Sequence, residues 1–197
     1  MKSVTRIAAI AAFVLVPGVA LAHPGHGDAG FTHGFAHPLS GLDHVLAMLA
    51  VGLYAALLGG RALWLVPASF VAMMAVGGAL GMAGIALPYT EAAIALSVIV
   101  LGLAVALRVS LPTLVAMALV GTFAVFHGHA HGAEMPQAAS GYAFAAGFVL
   151  ATALLHGVGI ALGLAAAKLA DHGGWRAAQL AGGAMALAGV ALLTSVL

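Results

Sequence analysis

Ten histidines stand against five acidic residues and no cysteine in this chain of 197 residues. Neutral imidazoles combined with a carboxylate suit borderline divalent ions such as nickel, cobalt and zinc. The most informative cluster contains His33, His37 and the adjacent pair Asp43 and His44. His37 and His44 share a face if one helix extends over both of them. The pattern therefore indicates a metal site built from His37, Asp43 and His44, with His33 beside it.

A structural role competes with metal binding at Asp43. The segment 40–43, Ser-Gly-Leu-Asp, also has the spacing of a helix capping box, with an acid in the first turn where the helix dipole favours it. A cap does not require the neighbouring His44, however. In an apolar segment that enters a membrane, ionisable groups cost free energy and are usually functional. The metal-site interpretation is therefore favoured over the cap.

A second cluster consists of His127, His129, His131 and Glu134. The alternating histidines either line one side of an extended segment or present His127 and His131 on one face of a helix. His131 and Glu134 are spaced so that both could bind one ion from a single turn. A solvated loop that happens to be rich in histidine is the alternative. His129 is a weaker candidate ligand than its neighbours.

Four further residues extend the candidate set. Glu91 opens a predicted helix, where an acid either stabilises the helix N-terminus or acts as a ligand or gate. His156 lies deep in an apolar segment, where it either receives an ion or hydrogen-bonds a neighbouring helix. His23 and His26 precede the first cluster. If the chain is cleaved after Ala22, the amine and the ring of His23 can chelate a metal together.

The composition requires a surface that faces lipid. Hydrophobic residues make up 64% of the chain and charged residues 6%, whereas a soluble domain carries about 25% charged residues. A transmembrane helix needs roughly 20 apolar residues. Six stretches qualify: 40–58, 62–84, 89–107, 111–126, 141–167 and 175–196. The predicted fold class is therefore all-α, a polytopic membrane protein with a six-helix transmembrane bundle.

The first 22 residues have the features of a signal peptide. Lys2 and Arg6 form a positive region, residues 7–16 an apolar region, and residues 20–22 the small-residue cleavage motif Ala-Leu-Ala. An uncleaved first transmembrane helix is the alternative. The predicted organisation is a cleaved signal peptide over residues 1–22 and a six-helix membrane domain over residues 23–197.

The basic residues predict the orientation of this bundle. With the mature N-terminus outside, the first, third and fifth connections lie in the cytoplasm, and they hold Arg61, Arg108, Lys168 and Arg176. That distribution follows the positive-inside rule. It places both termini and the two histidine clusters at the outer side, with His156 near the middle of the membrane.

Several classes of function are excluded or disfavoured. The absence of cysteine removes disulfides and thiolate metal sites. The few basic residues form no stripe for nucleic acid, and the motifs of zinc proteases, serine hydrolases and P-loop ATPases are absent. The predicted partners are a divalent metal ion and the lipid bilayer, with no resident cofactor.

A metal hydrolase within the membrane stays an alternative, since the same side chains can activate water. A hydrolase would hold about three ligands at one depth, whereas a protein that carries the ion across the membrane would spread its ligands along a path.

At these residues the chain resembles the HupE/UreJ family of nickel permeases. The first part of the resemblance is carried by His23-Pro24-Gly25-His26, Gly30-Phe31, His33-Gly34, His37-Pro38, Gly41, Asp43-His44, Leu46-Ala47-Met48 and Val51-Gly52-Leu53. The later part is carried by His127-Gly128, His131-Gly132, Glu134 and Leu155-His156-Gly157. The resemblance implies import of nickel, or of cobalt, across the bacterial inner membrane for hydrogenase or urease maturation. We expect His131, Glu134 and Glu91 to complete or gate the outer site and His156 to receive the ion deeper in.

Metal binding by histidine should depend on pH. Protons compete with metal for the imidazole lone pair, and an unperturbed imidazole has a pKa of about 6.5. Uptake should therefore weaken as the pH falls below about 6.5, because the protonated ring cannot bind metal. Radiolabelled nickel uptake in neutral and mildly acidic medium measures this effect. Equal uptake in both media would count against histidine ligation.

Overall fold

The computed structural model describes residues 29–135, 141–169 and 173–197, and the regular elements in these ranges are all α-helices. In chain order they are α1 (Ala29–Ser40), α2 (Leu42–Leu58), α3 (Ala62–Met82), α4 (Thr90–Ala106), α5 (Thr113–Ala133), α6 (Gly141–Lys168) and α7 (Gly174–Val196). The predicted signal peptide, His23 and His26 lie outside the described residues. The division into signal peptide and membrane domain therefore stays a prediction.

Apolar helices dominate the described part of the chain. Four of them, α3, α5, α6 and α7, are long and apolar enough to cross a membrane. The pair α1 and α2 passes the same test jointly but is bent by 82° at its break, and α4 is apolar but shorter. The all-helical, multi-pass membrane architecture is thus confirmed, whereas the number of six spans stays a prediction.

The start of the bundle differs from the sequence-based prediction. Residues 40–58 were expected to form one helix, but α2 begins at Leu42 and a separate helix, α1, precedes it. Gly41 separates the two with extended backbone angles, φ −93° and ψ 119°. His37 and His44 therefore lie on different helices and do not share a helical face.

The fourth predicted helix, residues 111–126, ends too early. In the structure α5 continues to Ala133, so His127, His129 and His131 lie within the helix and are buried. The helical interpretation of this cluster is confirmed, and the interpretation as a solvated loop is wrong.

The central helix of the bundle is α2. It contacts all six other helices, and its residues from Ala47 to Ala56 are buried with the exception of Leu49. Large apolar side chains on the other helices, such as Trp64, Leu114 and Leu180, point outward and are exposed. This distribution places an apolar core inside and a lipid-compatible surface outside.

Glycines bring the helices that carry the histidines very close together. A Cβ added at Gly128 of α5 would lie 1.9 Å from the Met74 carbonyl oxygen of α3. A Cβ added at Gly52 of α2 would lie 2.3 Å from the His156 carbonyl oxygen of α6. Small residues at such contacts are typical of packing between membrane helices. They fix the backbones from which the polar side chains project.

Candidate metal centre

Five imidazole rings from three helices form a continuous row. The ring centroids of His33 and His37, both on α1, lie 5.8 Å apart, and those of His37 and His131 of α5 lie 4.7 Å apart. The row continues from His131 to His44 of α2 at 4.0 Å and from His44 to His127 of α5 at 4.5 Å. We name these five residues the histidine file.

The histidine file leads from the surface into the core. His33 is exposed and His37 is half-buried. His131 and His44 are 6% and 5% exposed, and His127 is completely buried. The imidazoles are therefore spread over a range of depths.

At the outer end, three side chains have the spacing of a metal site. The Nε2 atom of His37 lies 3.2 Å from Oε2 of Glu134. One ligand atom each from His37, His131 and Glu134 can be chosen so that all lie within 4.8 Å of one another. Two imidazoles and one carboxylate are a donor set that suits nickel, cobalt or zinc.

A pocket open to solvent contains this group. It encloses ≈ 430 Å³, including its open mouth. Its polar lining consists of His37, Ser40, Asp43, His44, Glu91, His131 and Glu134. Glu91 reaches the pocket from the first turn of α4 and is exposed. The structure thus brings Glu91 and both sequence clusters to one place.

Asp43 binds its neighbouring histidine, and the capping-box arrangement is not formed. Oδ1 of Asp43 accepts a hydrogen bond from the His44 backbone amide at 2.8 Å and lies 3.2 Å from His44 Nδ1. The N-cap of α2 is Gly41, and the Ser40 hydroxyl donates instead to the His37 carbonyl oxygen. A carboxylate that accepts Nδ1–H leaves Nε2 of His44 free to bind a metal, as in many metal-binding histidines.

His131 lies at the centre of the cluster. Besides the rings of His37 and His44, it contacts Phe148 of α6 with a centroid distance of 4.3 Å. Within the described residues neither of its buried ring nitrogens has a hydrogen-bond partner. A buried polar group without a partner is destabilising by about 1–3 kcal/mol, and a bound cation would offset that loss.

His127 and His156 occupy the inner part of the site. The ring of Phe70 on α3 contacts both, with centroid distances of 5.6 Å to His127 and 5.1 Å to His156. Nδ1 of His127 and both ring nitrogens of His156 are buried and make no hydrogen bond to any described residue. The interpretation of His156 as a histidine bonded to a neighbouring helix is therefore not supported.

One face of α6 runs alongside the histidine file. Phe144, Phe148, Thr152 and His156 recur every fourth residue, and all are buried. Phe144 contacts the rings at the outer end of the histidine file, and at a rise of 1.5 Å per residue His156 lies about 18 Å further along the helix. His156 is therefore well separated from the outer end.

His129 points away from the histidine file. Its Nε2–H donates to the carbonyl oxygen of Ile85, in the connection that follows α3, with a distance of 2.7 Å. His129 is two positions from His127 and from His131, which places it on another side of α5. This geometry agrees with the prediction that His129 is a weaker candidate ligand than its neighbours.

Sequence reasoning missed Ser97, Phe70 and Phe148. Nε2 of His127 lies 2.9 Å from the Ser97 hydroxyl oxygen, and the two phenylalanines flank the buried rings. Phenylalanine in an apolar helix has the pattern of ordinary core packing, so no signal was available for those residues. A single hydroxyl inside the apolar helix α4 was the one weak signal for Ser97.

Comparison with known proteins identifies the family. The family described as HupE / UreJ protein matches residues 11–192. Protein HupE of Rhizobium leguminosarum bv. viciae is 51% identical over 192 residues, which cover 98% of this chain and 97% of the relative. No solved structure matches the chain significantly. The resemblance inferred from the residues is confirmed: the protein belongs to the HupE/UreJ family, a family of metal transporters and not of enzymes.

Proposed function

We propose that the protein is a permease that imports nickel, or cobalt, across the bacterial inner membrane to supply hydrogenase or urease maturation. The observation that carries this proposal is the histidine file, whose rings lead from exposed His33 to fully buried His127. A permease must replace the water ligands of the ion and must still release the ion, so several sites of moderate affinity serve better than one tight site.

The proposed path begins in the outer pocket. His37, His131 and Glu134 capture the ion there, and the exposed carboxylate of Glu91 adds negative charge at the same mouth. Deeper in, the ion exchanges these ligands for the free Nε2 of His44, which is oriented by Asp43. His127 and then His156 are the last imidazoles on this route.

The proposed orientation has six spans with both termini and the outer pocket on the periplasmic side. At the opposite ends of the helices, Arg61 and Arg108 lie in connections, Lys168 is the last residue of α6 and Arg176 lies in the first turn of α7. The guanidinium of Arg108 lies 4.7 Å from the centroid of the Trp175 ring, which brings the connection between α4 and α5 next to the start of α7. Basic residues at one end and the histidine file towards the other support this orientation under the positive-inside rule.

The alternative of a metal hydrolase within the membrane is not favoured. The family consists of metal transporters and not of enzymes. In addition, a hydrolase needs its ligands at one depth around one activated water. His156 lies about 18 Å along α6 from the outer end of the histidine file, which fits a path better than a single reaction centre.

Radiolabelled nickel uptake in cells expressing the wild type, Asp43→Ala and His44→Ala tests the proposed function. Loss of a partner that orients a metal ligand typically weakens affinity by about 10–100-fold. We expect a reduction of this size for Asp43→Ala and a larger one for His44→Ala, which removes the ligand itself. Immunoblots of the membrane fraction control for protein amount. Equal uptake by all three proteins at equal amounts would contradict the assignment of this site.

A further inference from the structure

The hydroxyl group of Ser97 makes two hydrogen bonds with different partners. Ser97 is completely buried on α4. Its Oγ lies 2.6 Å from the carbonyl oxygen of Ile94, one turn earlier, and 2.9 Å from Nε2 of His127 on α5. A hydroxyl has one proton to donate, and a carbonyl oxygen can only accept. The Ser97 proton is therefore donated to Ile94, so Oγ must accept a hydrogen bond from Nε2–H of His127.

This hydrogen bond determines which nitrogen of His127 is free. A neutral imidazole carries one N–H group, and its other nitrogen carries the lone pair. With the proton on Nε2, the lone pair is on Nδ1, which is buried and has no hydrogen-bond partner among the described residues. The neighbouring ring of His44 has the opposite arrangement, since Asp43 holds its Nδ1–H and leaves Nε2 free.

We propose that Ser97 is a positioning residue of the transport path, which holds His127 in the Nε2–H form so that Nδ1 is always available to a passing divalent cation. The identity of that cation as nickel or cobalt rests on the proposed function. Without Ser97, the ring would lose its orientation and exchange the proton between its two nitrogens. Removal of a partner that orients a metal ligand typically weakens metal affinity by about 10–100-fold, and loss of Ser97 should have an effect of this kind.

Nitrogen-15 NMR of histidine-labelled, purified full-length protein without added metal tests the protonation of His127 directly. A His127→Gln variant identifies the signals of this ring by their disappearance. In the wild type we expect a protonated Nε2 and an unprotonated Nδ1. Ser97→Ala should give a mixture of both forms, and Ser97→Thr, which keeps a hydroxyl group, should restore the wild-type signals.

Nickel titration of the same proteins by calorimetry provides the functional measurement. Ser97→Ala should weaken nickel binding about tenfold, the lower end of the range for an orienting partner. The matched control is Ser69→Ala, because the Ser69 hydroxyl makes the same kind of bond to a carbonyl one turn earlier, Val66 at 2.7 Å, without a histidine partner. This variant should bind nickel as the wild type does.

The outcomes separate the two proposals. Unchanged His127 signals in Ser97→Ala would overturn the role of Ser97, as would an equal loss of nickel affinity in Ser69→Ala. If Ser97→Thr does not fold, the signals of Ser97→Ala decide alone. A wild-type protein that binds no nickel would refute the proposed function, while the NMR comparison would still test whether Ser97 sets the protonation of His127.

Discussion

The variant His131→Ala is expected to abolish nickel uptake. His131 is the residue that the outer group, with His37 and Glu134, shares with the deeper part of the histidine file through its contact with His44. Its removal leaves only His37 and Glu134 of the three-residue outer group and interrupts the row of rings. The loss should exceed the roughly 10–100-fold effect of removing an orienting partner, because a ligand itself is removed.

Another histidine of α5 provides a matched control for His131→Ala. His129 lies on the same helix but outside the histidine file, where it bonds the Ile85 carbonyl oxygen. We expect His129→Ala to retain most of the uptake at equal amounts of protein in the membrane. Wild-type uptake by His131→Ala, or an equal loss in His129→Ala, would be incompatible with the proposed path.

The residue types at the site could be predicted from the sequence, because ionisable groups are rare in a membrane protein and stand out against apolar helices. His37, Asp43, His44, His131 and Glu134 were selected in this way, and all of them line one pocket. The contact between His37 and Glu134 joins residues 97 positions apart. No local pattern encodes such a pairing, because it depends on how the helices pack.

Two helix boundaries were predicted wrongly, and glycines lie at both of them. Gly128 and Gly132 lower the intrinsic helix propensity of the second cluster, since each glycine is about 1 kcal/mol less favourable than alanine. The sequence therefore favoured a helix end at Phe126. In the structure the same glycines allow α5 to contact α3 closely, and this tertiary packing outweighs the local preference. At Gly41 the backbone leaves the helix, which sequence spacing alone did not indicate.

Gly128→Ala is expected to lower thermal stability and to weaken nickel binding in the same protein. The new Cβ would lie 1.9 Å from the Met74 carbonyl oxygen, a backbone atom that no side-chain rotation can move away. Forcing extra volume into a packed contact is typically destabilising by about 1–3 kcal/mol. Relief requires α5 to move away from α3. A shift on the order of 1 Å would displace His127 and His131 beyond the roughly 0.5 Å tolerance of a binding site.

Gly183→Ala distinguishes this effect from a general intolerance of alanine. Gly183 lies in the middle of α7, and a Cβ added there would meet, among the described residues, no atom within 4 Å apart from the adjacent backbone of its own helix. Since alanine favours helix by about 1 kcal/mol over glycine, Gly183→Ala should keep or raise the melting temperature in detergent and leave nickel affinity unchanged. The same gain in helix propensity applies at Gly128, so a lower melting temperature of Gly128→Ala must come from the contact with α3. If Gly128→Ala matched Gly183→Ala in both measurements, close packing of α3 and α5 would not be what positions the histidine file.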